Sequence, residues 1–230
     1  MAPHPDERDE SLCEEVGACL RSAGAELVGF AEPAHFQQLG GGYLPEHVLR
    51  GVRTVIVVGS HLIENSLDAW VEYGPWHRPR SFLDELLLGA ARAGCSLLER
   101  RGFRSEPVPY TPGLLLKNAA AIAGMGFIGR NNLLVSPAYG PRIRLRAIVT
   151  EATLVCGVPT SFGEECRHCV TCIEACPAKA LSEGGYSRDR CYGYQRGHLI
   201  EPFDGARIWC TVCADVCPVG RTGFTIASSL

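Results

Sequence analysis

The stretch CRHCVTCIEACP, residues 166–177, determines how the second half of this chain folds. Three cysteines follow one another at intervals of two residues, and a fourth comes after three more residues and precedes a proline. This spacing lets consecutive thiolates surround one side of a 4Fe–4S cube while backbone N–H groups face its sulfurs. The stretch therefore predicts an iron–sulfur site, with a helix expected to begin at Cys176.

A second stretch, CTVCADVCP at residues 210–218, repeats the run without its first cysteine, and Cys191 lies between the two. In two-cluster ferredoxins the fourth cysteine of one run ligates the other cluster. Eight thiolates then suffice for two 4Fe–4S clusters. We predict that the first cluster is held by Cys166, Cys169, Cys172 and Cys217, and the second by Cys176, Cys191, Cys210 and Cys213.

A pair of zinc sites is the alternative interpretation. Zinc also binds CxxC pairs, but usually as two separated knuckles rather than a triple followed by Cys-Pro. His168 could replace a thiolate, yet the cysteines already suffice, and we expect a solvent-facing loop residue there. The remaining cysteines are expected to be packing residues; they are Cys13, Cys19, Cys95 and Cys156.

Composition narrows the class of protein. The 230 residues carry a net charge of −3 and give no general electrostatic reason to bind nucleic acid. The polar N-terminus does not look like a secretory signal, and no stretch approaches the roughly 20 apolar residues of a membrane span. We therefore expect a cytoplasmic protein without a membrane partner, in which twelve cysteines indicate metal rather than disulfides.

Residues 1–155 read as helices and strands, and residues 156–230 as the cluster-binding part. The clearest helix is Ser81–Arg101, with Ser81 as N-cap and an apolar stripe that begins at Phe82. The other expected elements are helices over 9–23 and 114–123 and strands over 26–30, 54–58 and 142–150. The pattern indicates an α+β fold with α/β-like character, followed by a double-cluster module.

The strand over 142–150 alternates between apolar and basic residues. Arg142, Arg144 and Arg146 share one face, which could meet an anionic group such as a phosphate or could simply be solvated. We name Arg142 and Arg144 as candidate cofactor-binding residues. His61, just after the strand over 54–58, is a weaker candidate because α/β proteins place ligands at strand ends.

Together with the eight cysteines, the segment AGMGFIGRNNLL at residues 123–134 resembles the epoxyqueuosine reductase family. The resemblance runs from about residue 115 to 219, and the stretch over 137–144 is more similar to the family's shorter iron–sulfur relatives. It implies a nitroreductase-related N-terminal domain with a bacterial-ferredoxin-like module packed against it. It also implies clusters that pass electrons to base-off cobalamin, a layout that reductive dehalogenases share.

Two departures from the family bear on the substrate. Epoxyqueuosine reductases carry an aspartate where this chain has Tyr110-Thr111-Pro112-Gly113, and they continue into helical repeats that help to hold tRNA. This chain ends 13 residues after Cys217. Reduction of epoxyqueuosine in tRNA is therefore the least favoured of the alternative functions.

Three glycines in the resembling segment are candidates for cofactor binding. Gly124, Gly126 and Gly129 lack a Cβ and would let the backbone approach a flat cofactor or a cluster. A helix end followed by a tight turn explains them equally well. A loop with Tyr73, Trp76 and His77 is a candidate lid.

The favoured hypothesis is an oxidoreductase. Its two clusters would relay electrons from a redox partner protein to cobalamin, another cofactor or a small molecule on the N-terminal domain. The alternative is an electron-transfer or reactivating partner without its own substrate, which a closed N-terminal domain would favour.

Overall fold

The computed structural model describes residues 9–39, 43–71, 81–109, 113–160, 163–202 and 205–220. The helices are α1 Glu10–Ser22, α2 Phe82–Arg100, α3 Leu116–Ile122, α4 Thr171–Ala175, α5 Arg188–Gly197 and α6 Val212–Asp215. The strands are β1 Leu27–Ala31, β2 Thr54–His61, β3 Trp70–Val71, β4 Ser105–Pro107, β5 Phe127–Ile128, β6 Leu134–Val135, β7 Ile143–Thr150, β8 Leu181–Ser182, β9 Gly185–Tyr186 and β10 Ala206–Arg207. Within these residues, no helix is both long and apolar enough to cross a membrane.

A four-stranded sheet in the order β1-β2-β7-β4 forms the centre of the N-terminal part. All its pairings are antiparallel; Val57 of β2, for example, lies opposite Gly29 of β1 and Ala147 of β7. The expected α/β-like character is therefore wrong for this sheet, and the fold is α+β. The rule that ligands lie beyond the carboxyl ends of parallel strands does not apply to His61.

Helices cover both faces of the sheet. Ile56 and Val58 of β2 pack with α1 and α2 in one buried core. Val55 and Val57, which alternate with them, pack with α3 and the 3-10 helix Pro33–Leu39 in the other. This explains why β2 reads as an unbroken β-branched run, since neither face meets water. The predicted boundary at residue 155 stays a prediction, although both cores are built from residues between 12 and 154.

The longest helix follows the sequence prediction closely. The Ser81 side chain accepts a hydrogen bond from the backbone N–H of Asp84, which confirms the N-cap. The helix ends before Gly102, which adopts a positive φ of 89°. Phe82, by contrast, is 64% exposed. It occupies the first position of the helix, and its side chain is not part of the buried core.

The sequence suggested that the basic face of β7 either binds an anionic group or is solvated. In the structure, each of its arginines is instead paired with an aspartate of the protein. The pairs are Arg142–Asp215, Arg144–Asp68 and Arg146–Asp84, with N–O distances of 3.1, 3.1 and 3.0 Å. The third pair lies beneath α2, which covers this face. A solvated face is thus wrong for Arg146, which is only 6% exposed.

The C-terminal part consists of short elements around the cysteine motifs. Cys172 lies in α4 and Cys213 in α6, and these two short helices pack against each other. Cys176 closes α4 as its C-cap, and the chain then turns at Pro177. The helix expected to begin at Cys176 is therefore absent from the described residues, because the extended backbone of Cys176 leads into a turn and then into β8.

Candidate functional site

The first cysteine motif, joined by one cysteine of the second, forms a group around Cys172. The pKa of the Cys172 thiol is raised, chiefly by burial and then by the negative charge of nearby sulfurs. Those sulfurs belong to Cys166, Cys169 and Cys217. The structure therefore brings together the four residues predicted for the first cluster, although their ligation of a cluster stays a prediction.

A second group of cysteines surrounds Cys213. Burial, followed by the charge of neighbouring thiols, raises the pKa of Cys213 to about 12. The neighbours that contribute are Cys210, Cys172, Cys176 and Cys191, in that order. The pKa of Cys210 is also raised by burial, with smaller contributions from Cys191, Cys176 and Asp215. Cys172 lies close enough to Cys213 to link the two groups.

This donor set fits iron–sulfur clusters. Partly buried thiolates that repel one another need cations among them before they can all ionise, and iron supplies that charge. None of the twelve cysteines forms a disulfide. Over the described ranges, no three His, Cys, Asp or Glu side chains converge to hold a single ion. One ion holds its ligands about 2.0–2.3 Å from one centre, whereas a cube separates its corner thiolates, so the cluster prediction is unaffected.

Two residues of the 123–134 segment fasten the cysteine motifs to the N-terminal part. Arg130 donates from Nε to the carbonyl oxygen of Cys166 and from Nη2 to that of Arg167, both at 2.7 Å. Asn131 donates from Nδ2 to the carbonyl oxygen of Cys213 at 3.4 Å. Sequence reasoning quoted both residues but assigned no role to either, because the partners lie about 40 to 80 positions away.

The three candidate glycines lie against protein rather than beside an open site. Gly124, at a φ of 76°, ends α3: its N–H bonds the carbonyl of Ala121, and the N–H of Met125 bonds that of Ala120. A Cβ at Gly126 would overlap the carbonyl oxygen of Val135. The helix-end and turn interpretation accounts for both.

Gly129 also lies against protein, but a cysteine is among its neighbours. A Cβ there would lie 3.6 Å from the Cys166 sulfur and also too close to Val135 and Asn131. The contacts with Val135 and Asn131 are the ones that require a glycine, since 3.6 Å is an ordinary contact distance, and a role for Gly129 beside a cluster stays a prediction.

A cavity of about 680 Å³ opens between the N-terminal part and the second cysteine group. Cys176, Cys191, Cys210 and Cys213 all line it. The opposite wall comes from α3, the turn after β5 and the start of β7. A smaller cavity of about 350 Å³ at the end of α2 contains no cysteine among its lining residues.

The cavity wall includes several aromatic and charged side chains. The aromatic residues are Tyr43, Tyr186, Tyr192, Tyr194 and Trp209. Arg142 and Arg144 line the wall as well, but their guanidinium groups are bound by protein. Arg142 contacts Asp215, Asn65 and the carbonyls of residues 62 and 63. Gly124, Gly126 and Gly129 are not among the described residues that line the cavity.

Lys117 is the functional candidate that sequence reasoning missed. It lies on α3, lines the cavity, and donates from Nζ to the carbonyl oxygen of Asn132 at 2.8 Å. Burial lowers the pKa of its ammonium group. The one available signal was scarcity, since the chain contains only two lysines, Lys117 and Lys179.

The other candidates lie away from the cavity or outside the described residues. His61 stacks on Tyr139 with ring centroids 4.7 Å apart, and burial lowers its pKa. The candidate lid with Tyr73, Trp76 and His77, and Tyr110, Thr111 and Pro112, lie outside the described residues. The packing role predicted for Cys95 agrees with its burial, which raises its thiol pKa to about 11.

Comparison with curated proteins identifies relatives of part of the chain. An epoxyqueuosine reductase from Lactococcus garvieae is 36% identical over 110 residues, which are 44% of this chain and 31% of that protein. A tetrachloroethene reductive dehalogenase from Dehalobacter restrictus is 39% identical over 87 residues, 37% of this chain and 16% of that protein. The chain thus spans about a third of the former and less of the latter. No family model matches the chain.

Solved structures extend the likeness to nearly the whole chain. The epoxyqueuosine reductase from Streptococcus thermophilus matches with a TM-score of 0.67 at 18% identity, over 90% of this chain and 66% of that one. A reductive dehalogenase described in terms of B12-dependent dehalogenation matches with a TM-score of 0.67 at 20% identity, over 97% and 34%. At these identities the matches establish the fold.

Proposed function

Because the chain is related to the epoxyqueuosine reductases and the reductive dehalogenases, we propose that it is an iron–sulfur oxidoreductase. It reduces a small molecule or an organic cofactor held in the 680 Å³ cavity. The observation that carries the proposal is the shared wall: the second cysteine group faces the same space as Lys117 and Asn131 of the N-terminal part. Because the four cysteines predicted to hold the second cluster line this cavity, that cluster would fill part of it, and the part beside Lys117 and Asn131 is the proposed binding space.

The eight cysteines form two cluster-binding sites in this proposal. Cys166, Cys169, Cys172 and Cys217 hold one cluster, and the second cysteine group holds the other beside the cavity. When bound, the clusters supply electrons one at a time from a redox partner protein. Arg130 and Asn131 keep the two motifs in place through the carbonyls they bind. The cavity of about 680 Å³ includes the space between these cysteines that the second cluster would take, and the remainder is open to a small molecule.

Metal and sulfide analysis of anaerobically purified protein tests the cluster assignment. We expect about eight iron and about eight acid-labile sulfide per chain, as two 4Fe–4S clusters require. Reduction should produce electron paramagnetic resonance signals of two interacting clusters. Protein that contains zinc and lacks iron and sulfide would overturn the proposal.

Cobalamin is the organic cofactor that the relatives suggest, and titration decides whether the cavity takes it. Addition of hydroxocobalamin to the anaerobic protein should change the absorption spectrum to that of a base-off corrinoid at one equivalent. An unchanged spectrum would assign the cavity to the small-molecule substrate alone. In both cases electrons should pass from a reduced low-potential donor protein to the occupant.

The second candidate function is an electron carrier that binds no substrate and docks on another redox protein. Stopped-flow oxidation of the reduced protein distinguishes it. A carrier would be oxidised only by its partner, whereas an oxidoreductase would be oxidised by a small molecule that binds the cavity. Action on tRNA is not proposed, since the net charge of −3 offers little for phosphates.

A further inference from the structure

Five charged residues line the large cavity in the described part of the chain, and four of them form an ion pair or a cation–π contact within the protein. They are Asp68, Lys117, Arg142, Arg144 and Arg188. Arg144 pairs with Asp68, and Arg142 pairs with Asp215. The guanidinium of Arg188 lies over the ring of Tyr192 at 5.1 Å.

Lys117 is the exception. Its ammonium group gives one hydrogen bond to the Asn132 carbonyl and has two further N–H groups to donate. Burial is the sole cause that lowers its pKa, with no carboxylate among the described residues to offset it. The structure thus places a half-buried cation, without an acidic partner in the described part of the chain, on the cavity wall.

The turn at Asn132 does not require this charge. Asn132 has a positive φ of 60°, and the bond from Lys117 supports that backbone conformation. A neutral donor such as glutamine would support it as well, without the cost of removing a cation from water. The positive charge faces the same cavity as the second cysteine group, so a bound anion and the proposed cluster are its two candidate partners.

We propose that Lys117 binds the anionic oxygen group, a carboxylate or a phosphate, of an aromatic small molecule in this cavity. The five aromatic side chains of the wall provide surfaces for the apolar part of such a molecule. A fixed ammonium group also stabilises the extra negative charge that a bound molecule acquires when it is reduced. The inference rests on the proposed function, because it takes the cavity as the substrate site.

Calorimetric titration of the anaerobic, cluster-containing protein with three probes tests the proposal. Benzoate and phenyl phosphate carry the two anionic groups, and benzamide is the neutral counterpart of benzoate. Wild-type protein should bind one or both anions at least about tenfold more tightly than benzamide, as expected for a charge-assisted hydrogen bond. The tighter anion distinguishes a carboxylate from a phosphate as the natural group.

Variants of the two lysines provide the controls. Lys117→Gln should lose the preference for the anions while retaining benzamide binding, and Lys117→Arg should keep most of it. Lys179→Gln removes the same charge from an exposed residue that does not line the cavity and should bind as the wild type does. Thermal unfolding of Lys117→Gln shows that the variant is folded.

Three results would overturn the assignment: equal binding of benzamide and the anions, an unchanged preference in Lys117→Gln, or a preference lost equally in Lys179→Gln. A Lys117→Gln variant that changes only the reduction potential of a cluster would show that the lysine serves the cluster instead. Iron and sulfide are measured on the same samples. If the clusters are complete and the anions are not preferred, only the role proposed for Lys117 is refuted. If the protein contains zinc in place of iron, the proposed function itself is refuted.

Discussion

Arg146 and Asp84 form an ion pair that is buried in the protein core. Their side chains are 6% and 1% exposed and meet through two contacts, Nε–Oδ1 at 3.0 Å and Nη2–Oδ2 at 3.2 Å. The ion pair, with its one hydrogen bond from Nη2 to Oδ2, offsets part of the loss of hydration of both ions. The arginine is therefore a part of the core, which the alternating pattern of β7 could not reveal.

We predict that Arg146→Met destabilises the protein by about 3–5 kcal/mol, because it leaves the Asp84 carboxylate buried without its cation. The double variant Asp84→Leu/Arg146→Met should recover much of this loss, since it removes both charges together. Urea unfolding followed by circular dichroism measures both. A loss below about 1 kcal/mol in the single variant would show that the pair contributes little.

Lys117 carries a second prediction at this scale, which concerns pH. Burial lowers the pKa of Lys117 in the folded protein below the ordinary 10.5. Between the folded-state pKa and 10.5, the unfolded chain therefore binds more protons than the folded one. The free energy of unfolding of the wild type should therefore rise, relative to Lys117→Gln, as pH increases toward 10.5. Below the folded pKa the burial cost is complete and constant. Unfolding of both proteins at several pH values from 7 to 10 tests this, and a constant difference throughout would contradict it.

Among the secondary-structure elements, short-range signals were predictable and long-range ones were not. The N-cap of α2 and the glycine that ends α3 depend on residues within a few positions, so the sequence indicates both. The arrangement of the sheet depends on which distant strands pair, and its antiparallel order was missed for that reason. The cysteine spacing is also local, which is why the ligand set could be proposed before the two groups were seen.

The turn before β7 meets the end of the second cysteine motif, and Gly140 is the point of contact. Its φ is 58°, and a Cβ would overlap the carbonyl oxygen of Val219, two residues after Cys217. We predict that Gly140→Ala displaces Cys217 from the first cysteine group. Iron content should then fall from about eight toward about four per chain.

Gly89→Ala is the matched control for this variant. Gly89 lies in the middle of α2 and has open space where a Cβ would be placed. The substitution should leave the iron content unchanged and stabilise the helix by about 0.5–1 kcal/mol. If Gly140→Ala also retained all its iron, the close approach of this turn would not be needed to position Cys217.

In the whole molecule, the N-terminal part and the cysteine motifs are joined by a small polar network. Arg142 binds Asp215, whose other carboxylate oxygen accepts a hydrogen bond from Thr211 at 2.6 Å. Asn65 donates to the Thr211 hydroxyl at 3.1 Å. Sequence reasoning found Arg142 but assigned it to a cofactor, because its partners come from a segment about 70 residues away that only the folded chain brings near. The network places a carboxylate and its cation beside Cys210.

This arrangement predicts opposite shifts in the reduction potential of the cluster proposed beside the cavity. Asp215→Asn removes a negative charge close to Cys210, so the reduced and more negative state becomes easier to reach and the potential rises. Arg142→Gln removes the compensating positive charge and lowers the potential. Both side chains are partly exposed, so solvent screens the effect and shifts of tens of millivolts are expected. Redox titration followed by electron paramagnetic resonance measures them. Glu14→Gln, on the exposed side of α1, is the control that matches the charge change of Asp215→Asn. Shifts of the same sign in both variants would indicate that distortion of the network, rather than its charge, acts on the cluster.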